Sequence, residues 1–183
     1  RVFLVNASVG LYPRLLEDRE AAKRRFGRHR VVALLSGLGT LLRGRSVLTL
    51  ELSFEGQTRV IRTRTLFVGN NPLQLAALGL RHATDVKHGC LAAITLQPLS
   101  GPRTLWLLLR GALGRLDGTE GVDSFAFDEL VVRPRKGARR AKVAMDGEVL
   151  RMPPPLVFRT APRPLRLLVP SPAPAPAYGA VAA

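Results

Sequence analysis

A chain of 183 residues, 46% of them hydrophobic, is long enough to fold around one real core, with a tail to spare. Its formal net charge of +15 comes almost entirely from arginine, with lysine only at Lys23, Lys87, Lys136 and Lys142. Such a field draws phosphate-bearing partners such as nucleic acid, nucleotide or anionic lipid, although solubility on an arginine-rich composition is the plainer reading. The single Cys90 excludes an internal disulfide and points to a reducing compartment. No secretory signal is visible, and no apolar run reaches the roughly 20 residues of a membrane-spanning helix. The opening at Arg1, directly into an apolar stretch, reads as a fragment of a longer protein.

In chain order, Val2 to Val5 reads as a strand and Asn6 to Gly10 as a turn-like segment. Helical spacing covers Leu15 to Phe26, Gly27 provides a stop, and Val31 to Leu42 is an apolar helix candidate. The period then changes. Val47 to Phe54 alternates as a strand, Glu55-Gly56 turns the chain, and Gln57 to Arg64 returns as a hairpin partner. Leu66 to Val68 is a short strand ending at the turn signal Gly69-Asn70-Asn71-Pro72, and Leu91 to Leu96 is another strand. Thr104 to Leu113 fits a helix or a strand. Phe125 to Val132 alternates weakly, and Ala138 to Met145, Leu156 to Thr160 and Leu165 to Val169 complete the strands. The expected fold is mainly β within the α+β class: a β-sandwich with one or two helices near the N-terminus. It spans residues 1–170, and a Pro/Ala-rich disordered tail covers 171–183.

Acidic groups are scarce, with 13 Asp and Glu against 28 Lys and Arg, so Asp146-Gly147-Glu148 stands out. On an extended strand the two carboxylates share a face. Such a pair can hold a metal, orient a hydroxyl or accept its proton. Asp-Gly is equally a common hairpin turn. Arg19, Arg24, Arg25, Arg28 and Arg30 form a second cluster, able to grip phosphates or to pair along a solvated helix with Glu17, Asp18 and Glu20. His29, His82 and His88 lack metal-ligand spacing, and Ser8 has no base partner. No phosphate loop or dinucleotide fingerprint occurs. With aromatics at only 5%, a stacking platform for nucleic acid is not expected.

An ordered set of short motifs resembles the C-terminal domain of the diacylglycerol kinase and sphingosine kinase-like lipid kinases, in their bacterial form. It runs through Phe3-Leu4-Val5-Asn6-Ala7-Ser8-Val9-Gly10, Arg19-Glu20 and Arg24-Arg25-Phe26-Gly27. It continues at Leu66-Phe67-Val68-Gly69-Asn70-Asn71, Met145-Asp146-Gly147-Glu148 and Pro164-Leu165-Arg166-Leu167-Leu168-Val169-Pro170. The resemblance implies a β-sandwich forming one wall of a cleft in an ATP- and Mg²⁺-dependent kinase that phosphorylates a lipid hydroxyl, of diacylglycerol or sphingoid type. The opposite wall, an N-terminal domain with a Gly-Gly-Asp-Gly-Thr loop, is missing from this sequence. By resemblance Asp146 and Glu148 are catalytic, and Gly147, Arg24 and Arg30 face the nucleotide. The implied setting is cytoplasmic, peripheral at the anionic inner face of the membrane. Lys87-His88-Gly89 replaces the family's Asp-Asp-Gly, so no structural metal is carried over there. A polyanion-binding β domain and a non-catalytic lipid-binding relative remain as alternatives.

Overall fold

The computed structural model describes residues 1–11, 13, 47–135 and 139–161. The expected helices over 15–26 and 31–42, Arg24, Arg30, the strand 165–169 and the tail from 171 lie outside them.

The described residues form two antiparallel sheets. The larger has the order β6-β5-β4-β1-β8-β9 and the smaller β10-β7-β2-β3. Their strands are β1 (Asn6–Gly10), β2 (Leu48–Phe54), β3 (Gln57–Thr63), β4 (Thr65–Gly69), β5 (Leu91–Leu96), β6 (Val122–Phe127), β7 (Glu129–Pro134), β8 (Ala141–Met145), β9 (Glu148–Met152) and β10 (Leu156–Arg159). Three helices stand between β4 and β6: α1 (Pro72–Ala77), α2 (Ala83–Lys87) and α3 (Gly101–Ala112).

Alternation along the strands builds the layers. Ala7, Val9, Leu66, Val68, Leu91, Ala93, Val143 and Met145 of the large sheet meet Leu50, Leu52, Leu130, Val132, Leu156 and Phe158 of the small one in a single core. This is the expected sandwich. The other face of the large sheet carries Ala92 and Ile94, which pack with Leu75, Leu80 and Val86 of the α1–α2 region. β5 is therefore buried on both faces, which is why it reads as a near-continuous apolar run. Near one edge of the sandwich Phe54 stacks on Phe125 at 4.5 Å. The Arg59 guanidinium lies over Phe125 at 4.3 Å and reaches Asp123 at 3.3 Å.

Several expectations change. The first strand is Asn6–Gly10, not Val2 to Val5. The backbone amides of Leu4 and Val5 are taken by a side chain instead of a strand, and Val2 and Leu4 are exposed. Gly69-Asn70-Asn71-Pro72 ends a strand as expected but also starts a helix. Asn71 Oδ1 accepts from the amides of Leu73 and Gln74, and Pro72 occupies the first turn, where its missing N–H costs nothing. α1 and α2 are thus additions to the expected elements, and near the N-terminus Leu11 and Pro13 are helical just after β1. The segment Thr104 to Leu113 is helical, within α3. Phe125 to Val132 is two strands, one in each sheet, with Asp128 alone between them.

Candidate functional site

Three of the quoted motifs converge at one end of the large sheet, because β4, β1 and β8 are neighbours there. Asn6 pairs with Gly69, and Ala7 with both Val68 and Met145. At this end Asp146 and Gly147 form the two-residue turn between β8 and β9, with Met145 paired to Glu148. Both turn residues have positive φ, 46° and 92°, the backbone twist that two-residue hairpins favour. The hairpin reading of Asp-Gly therefore describes the backbone, and the extended strand carrying both carboxylates on one face does not form.

The two carboxylates have different surroundings. Asp146 Oδ2 accepts the Leu4 amide at 2.6 Å, and Oδ1 accepts those of Val5 and Asn6, each at 2.9 Å. The Asp146 amide in turn donates to Asn6 O at 3.0 Å. From the other side Asn70 Nδ2 donates to Leu4 O at 3.0 Å, and the Asn70 amide to Val5 O at 2.9 Å. The segment Leu4–Asn6 is thus clamped between the turn and the end of β4. Partial burial pushes the Asp146 carboxyl up, but the amides of Leu4, Asn6 and Val5 outweigh it and hold the group below its ordinary value.

Glu148 is exposed, and no hydrogen bond or ion pair engages its carboxylate among the described residues. Directly opposed residues of an antiparallel pair project to the same side. Met145 faces the sandwich interior, so Glu148 lies on the interior face too, at the end of the row Glu148, Leu150, Met152.

That face lines a cavity of about 1060 Å³ between the sheets. Phe3, Leu4, Val143, Met145, Met152, Leu156 and Phe158 form its walls, and Arg1, Asn70, Glu129 and Arg159 supply polar groups. Phe3 meets Phe158 edge to face at 6.5 Å. Arg159 lies 4.0 Å from Glu129. Turn, clamp and apolar cavity are contiguous through Leu4, Asn70 and Met145.

The site also includes Gln74, which sequence reasoning missed. Asn6 Nδ2 donates to Gln74 Oε1 at 3.4 Å, while the buried Asn6 Oδ1 meets no donor among the described residues. Only the helix start at Asn71 could have revealed it. Ser8 is fully buried in mid-strand. Near Lys87-His88-Gly89, the Asp85 carboxylate is 2.7 Å from His82 Nδ1, and His82 Nε2 is 3.1 Å from Ser124 O. Among the described residues no group of three His, Cys, Asp or Glu is placed to hold a metal.

Two outcomes follow for the turn. Asp146→Asn is expected to cost about 1–2 kcal/mol at neutral pH, since charge-assisted acceptance from three amides is lost. The stabilisation from a lowered carboxyl is present above the ordinary carboxylate value and is lost as pH falls through the lowered one. The gap in melting temperature between wild type and Asp146→Asn should therefore narrow once the pH falls below the ordinary carboxylate value, and close as it passes the lowered one. A gap that persists there would show that charge is not its source. Gly147→Ala is expected to cost about 1 kcal/mol through backbone strain alone, because no atom lies within 4 Å of the added Cβ. Thermal melts check both.

No protein-family model matches the sequence. Among solved structures, the chain is similar to one described as "Crystal structure of a putative diacylglycerol kinase from Bacillus anthracis str. Sterne". The TM-score is 0.53 at 13% identity, covering 82% of this chain and 47% of the other. A second structure, "A putative diacylglycerol kinase from Bacillus anthracis str. Sterne", gives a TM-score of 0.50 at 12% identity, covering 82% of this chain and 48% of the other. The chain spans about half the length of the structures it matches. At these identities the likeness is one of fold: the sandwich and its outer helices are an architecture that this chain shares with part of those proteins.

Proposed function

We propose that the chain is one wall of the catalytic cleft of an ATP-dependent lipid kinase. The observation that carries this reading is that Met145, the cross-strand partner of the exposed Glu148, lines an apolar cavity of about 1060 Å³ between the sheets. The cavity takes the chain of a lipid alcohol, and its hydroxyl lies at the mouth. Glu148 orients the hydroxyl and accepts its proton as the oxygen forms a bond to the γ-phosphorus of ATP and the bond to the ADP oxygen breaks. The products are the lipid phosphate and ADP. Asp146 is a positioning residue: its oxygens are committed to Leu4, Val5 and Asn6, and through the turn they fix where Glu148 starts.

The described residues fit a Mg²⁺ that arrives with ATP and not one caged by this chain. Such an ion keeps most of its ligands as phosphate and water and needs only one or two carboxylates. Glu148 is the carboxylate here with free oxygens. When bound, the ion neutralises charge on the phosphates. Arg24 and Arg30 belong to the proposal as phosphate-facing cations. The partner domain carrying the nucleotide loop supplies the other wall, and the positive charge holds the assembly at an anionic inner membrane face.

The cavity is tested by filling it. Met152→Trp is expected to raise KM for long-chain alcohols several-fold in the full-length protein and to leave short-chain alcohols unaffected. An equal KM at every chain length would remove the cavity from the reading. The polyanion-binding alternative has a weaker basis. Arg59, Arg81, Arg103 and Arg159 are each paired with a carboxylate of their own, and Arg133 and Arg135 share Glu51.

A further inference from the structure

We infer that the outward face of α3 is a docking surface for an anionic lipid bilayer, on which the helix lies flat. α3 is apolar on two sides. Thr104 and Leu107 are buried against the body of the domain, at 3% and 4% exposure. The opposite side presents Leu105, Trp106 and Leu109, and Leu113 just past the helix end, exposed by 45%, 59%, 51% and 70%. Leu105, Leu109 and Leu113 follow each other at i, i+4, i+8, so they form one stripe with Trp106 beside it. A stripe of three leucines and a tryptophan facing water is costly unless something covers it.

The chemistry around the stripe selects the cover. Arg103 and Arg110 stand on the helix itself, and Arg115 and Arg81 adjoin its end. α3 contains no acidic residue. Among the described residues only Glu120 and Asp117 oppose these cations, at 3.5 Å from Arg103 and 3.6 Å from Arg81, so a positive balance remains. Leucines and a tryptophan bordered by arginines match the depth profile of a headgroup boundary. Acyl chains receive the leucines, the indole sits at the interface, and guanidinium groups reach anionic headgroups. Twelve helical residues span about 18 Å, too short for the roughly 30 Å hydrocarbon core, so the helix lies on the bilayer. No helix of the described residues is long and apolar enough to cross one. A second copy of this basic chain would cover the leucines but would add its own positive charge to the surplus of cations.

This surface extends the membrane placement proposed above, yet it requires neither ATP nor a lipid alcohol, so it can fail while the kinase reading stands. Trp106 is the only tryptophan in the chain and therefore reports its own environment. Vesicles of phosphatidylcholine mixed with phosphatidylserine are expected to shift Trp106 emission to the blue, and bromine-labelled acyl chains to quench it. Pure phosphatidylcholine vesicles should bind at least tenfold more weakly, and added salt should weaken the mixed-vesicle binding. Leu105→Ser with Leu109→Ser should weaken partitioning tenfold or more, with the fold intact by circular dichroism, because both side chains are exposed. An emission spectrum unchanged by vesicles would overturn the proposal. So would a blue shift that grows with protein concentration in the absence of lipid, since that would assign the face to a second copy.

Discussion

Glu148→Gln is expected to lower lipid-dependent ATP turnover of the full-length protein by about 10²–10⁴-fold, the usual contribution of a positioned proton acceptor. The melting temperature should stay within about a degree, because the Glu148 carboxylate is exposed and makes no contact among the described residues. Glutamine keeps the shape and the hydrogen-bonding oxygen but cannot take a proton. Asp146→Asn should behave in the opposite sense: a clear loss of stability and a smaller loss of turnover. The pair of variants therefore separates chemistry from positioning. If both leave turnover unchanged, neither carboxylate takes part. If Glu148→Gln alone leaves it unchanged, the proton goes elsewhere.

The largest stability effect is expected at Gly79. This residue has φ +72° and closes the C-terminal end of α1 against the exit of α3. A Cβ there would stand 1.8 Å from the Gly114 carbonyl oxygen and 2.6 Å from its carbon. Both obstacles are backbone and cannot rotate aside. Leu116 N also donates to Leu78 O at 3.1 Å, so separating the segments would break a hydrogen bond. Gly79→Ala should cost about 3–5 kcal/mol, combining steric overlap with left-handed backbone strain. In a chain of this size that is a fall of roughly 6–20 °C in melting temperature. Gly56→Ala, with similar φ but open space around it, is the matched control and should cost about 1 kcal/mol.

The parts of the fold written in local pattern were legible in the sequence. The hairpin at Glu55-Gly56 and the strand Leu91–Leu96 follow from alternation, turn chemistry and a doubly buried apolar run. What escaped depends on contacts distant in sequence. Val2 to Val5 has strand composition, yet Asp146, more than 140 positions away, takes its amides. The short helices α1 and α2 carry too few turns to show a period and are held by packing on Ala92 and Ile94. Of the candidate site, the rarity of Asp146 and Glu148 drew attention to the turn whose carboxylate clamps Leu4–Asn6. Their different surroundings were not readable, since sequence cannot say that three amides surround one carboxylate and none, among the described residues, the other. The fold of the matched structures agrees with the architecture that the motifs implied.

Among the described residues β9 lies at one margin of the large sheet, whereas β5 has a strand on each side and a packed layer on each face. Opening free energy should be lower at that margin than in a strand paired on both sides and packed on both faces, so amides of β9 exchange with solvent sooner than those of β5. Glu148 therefore rides on a strand that yields earlier than the packed middle of the sheet. A ligand closing over this margin would register as new protection in β9 while β5 stays unchanged, giving a record of occupancy that does not depend on turnover.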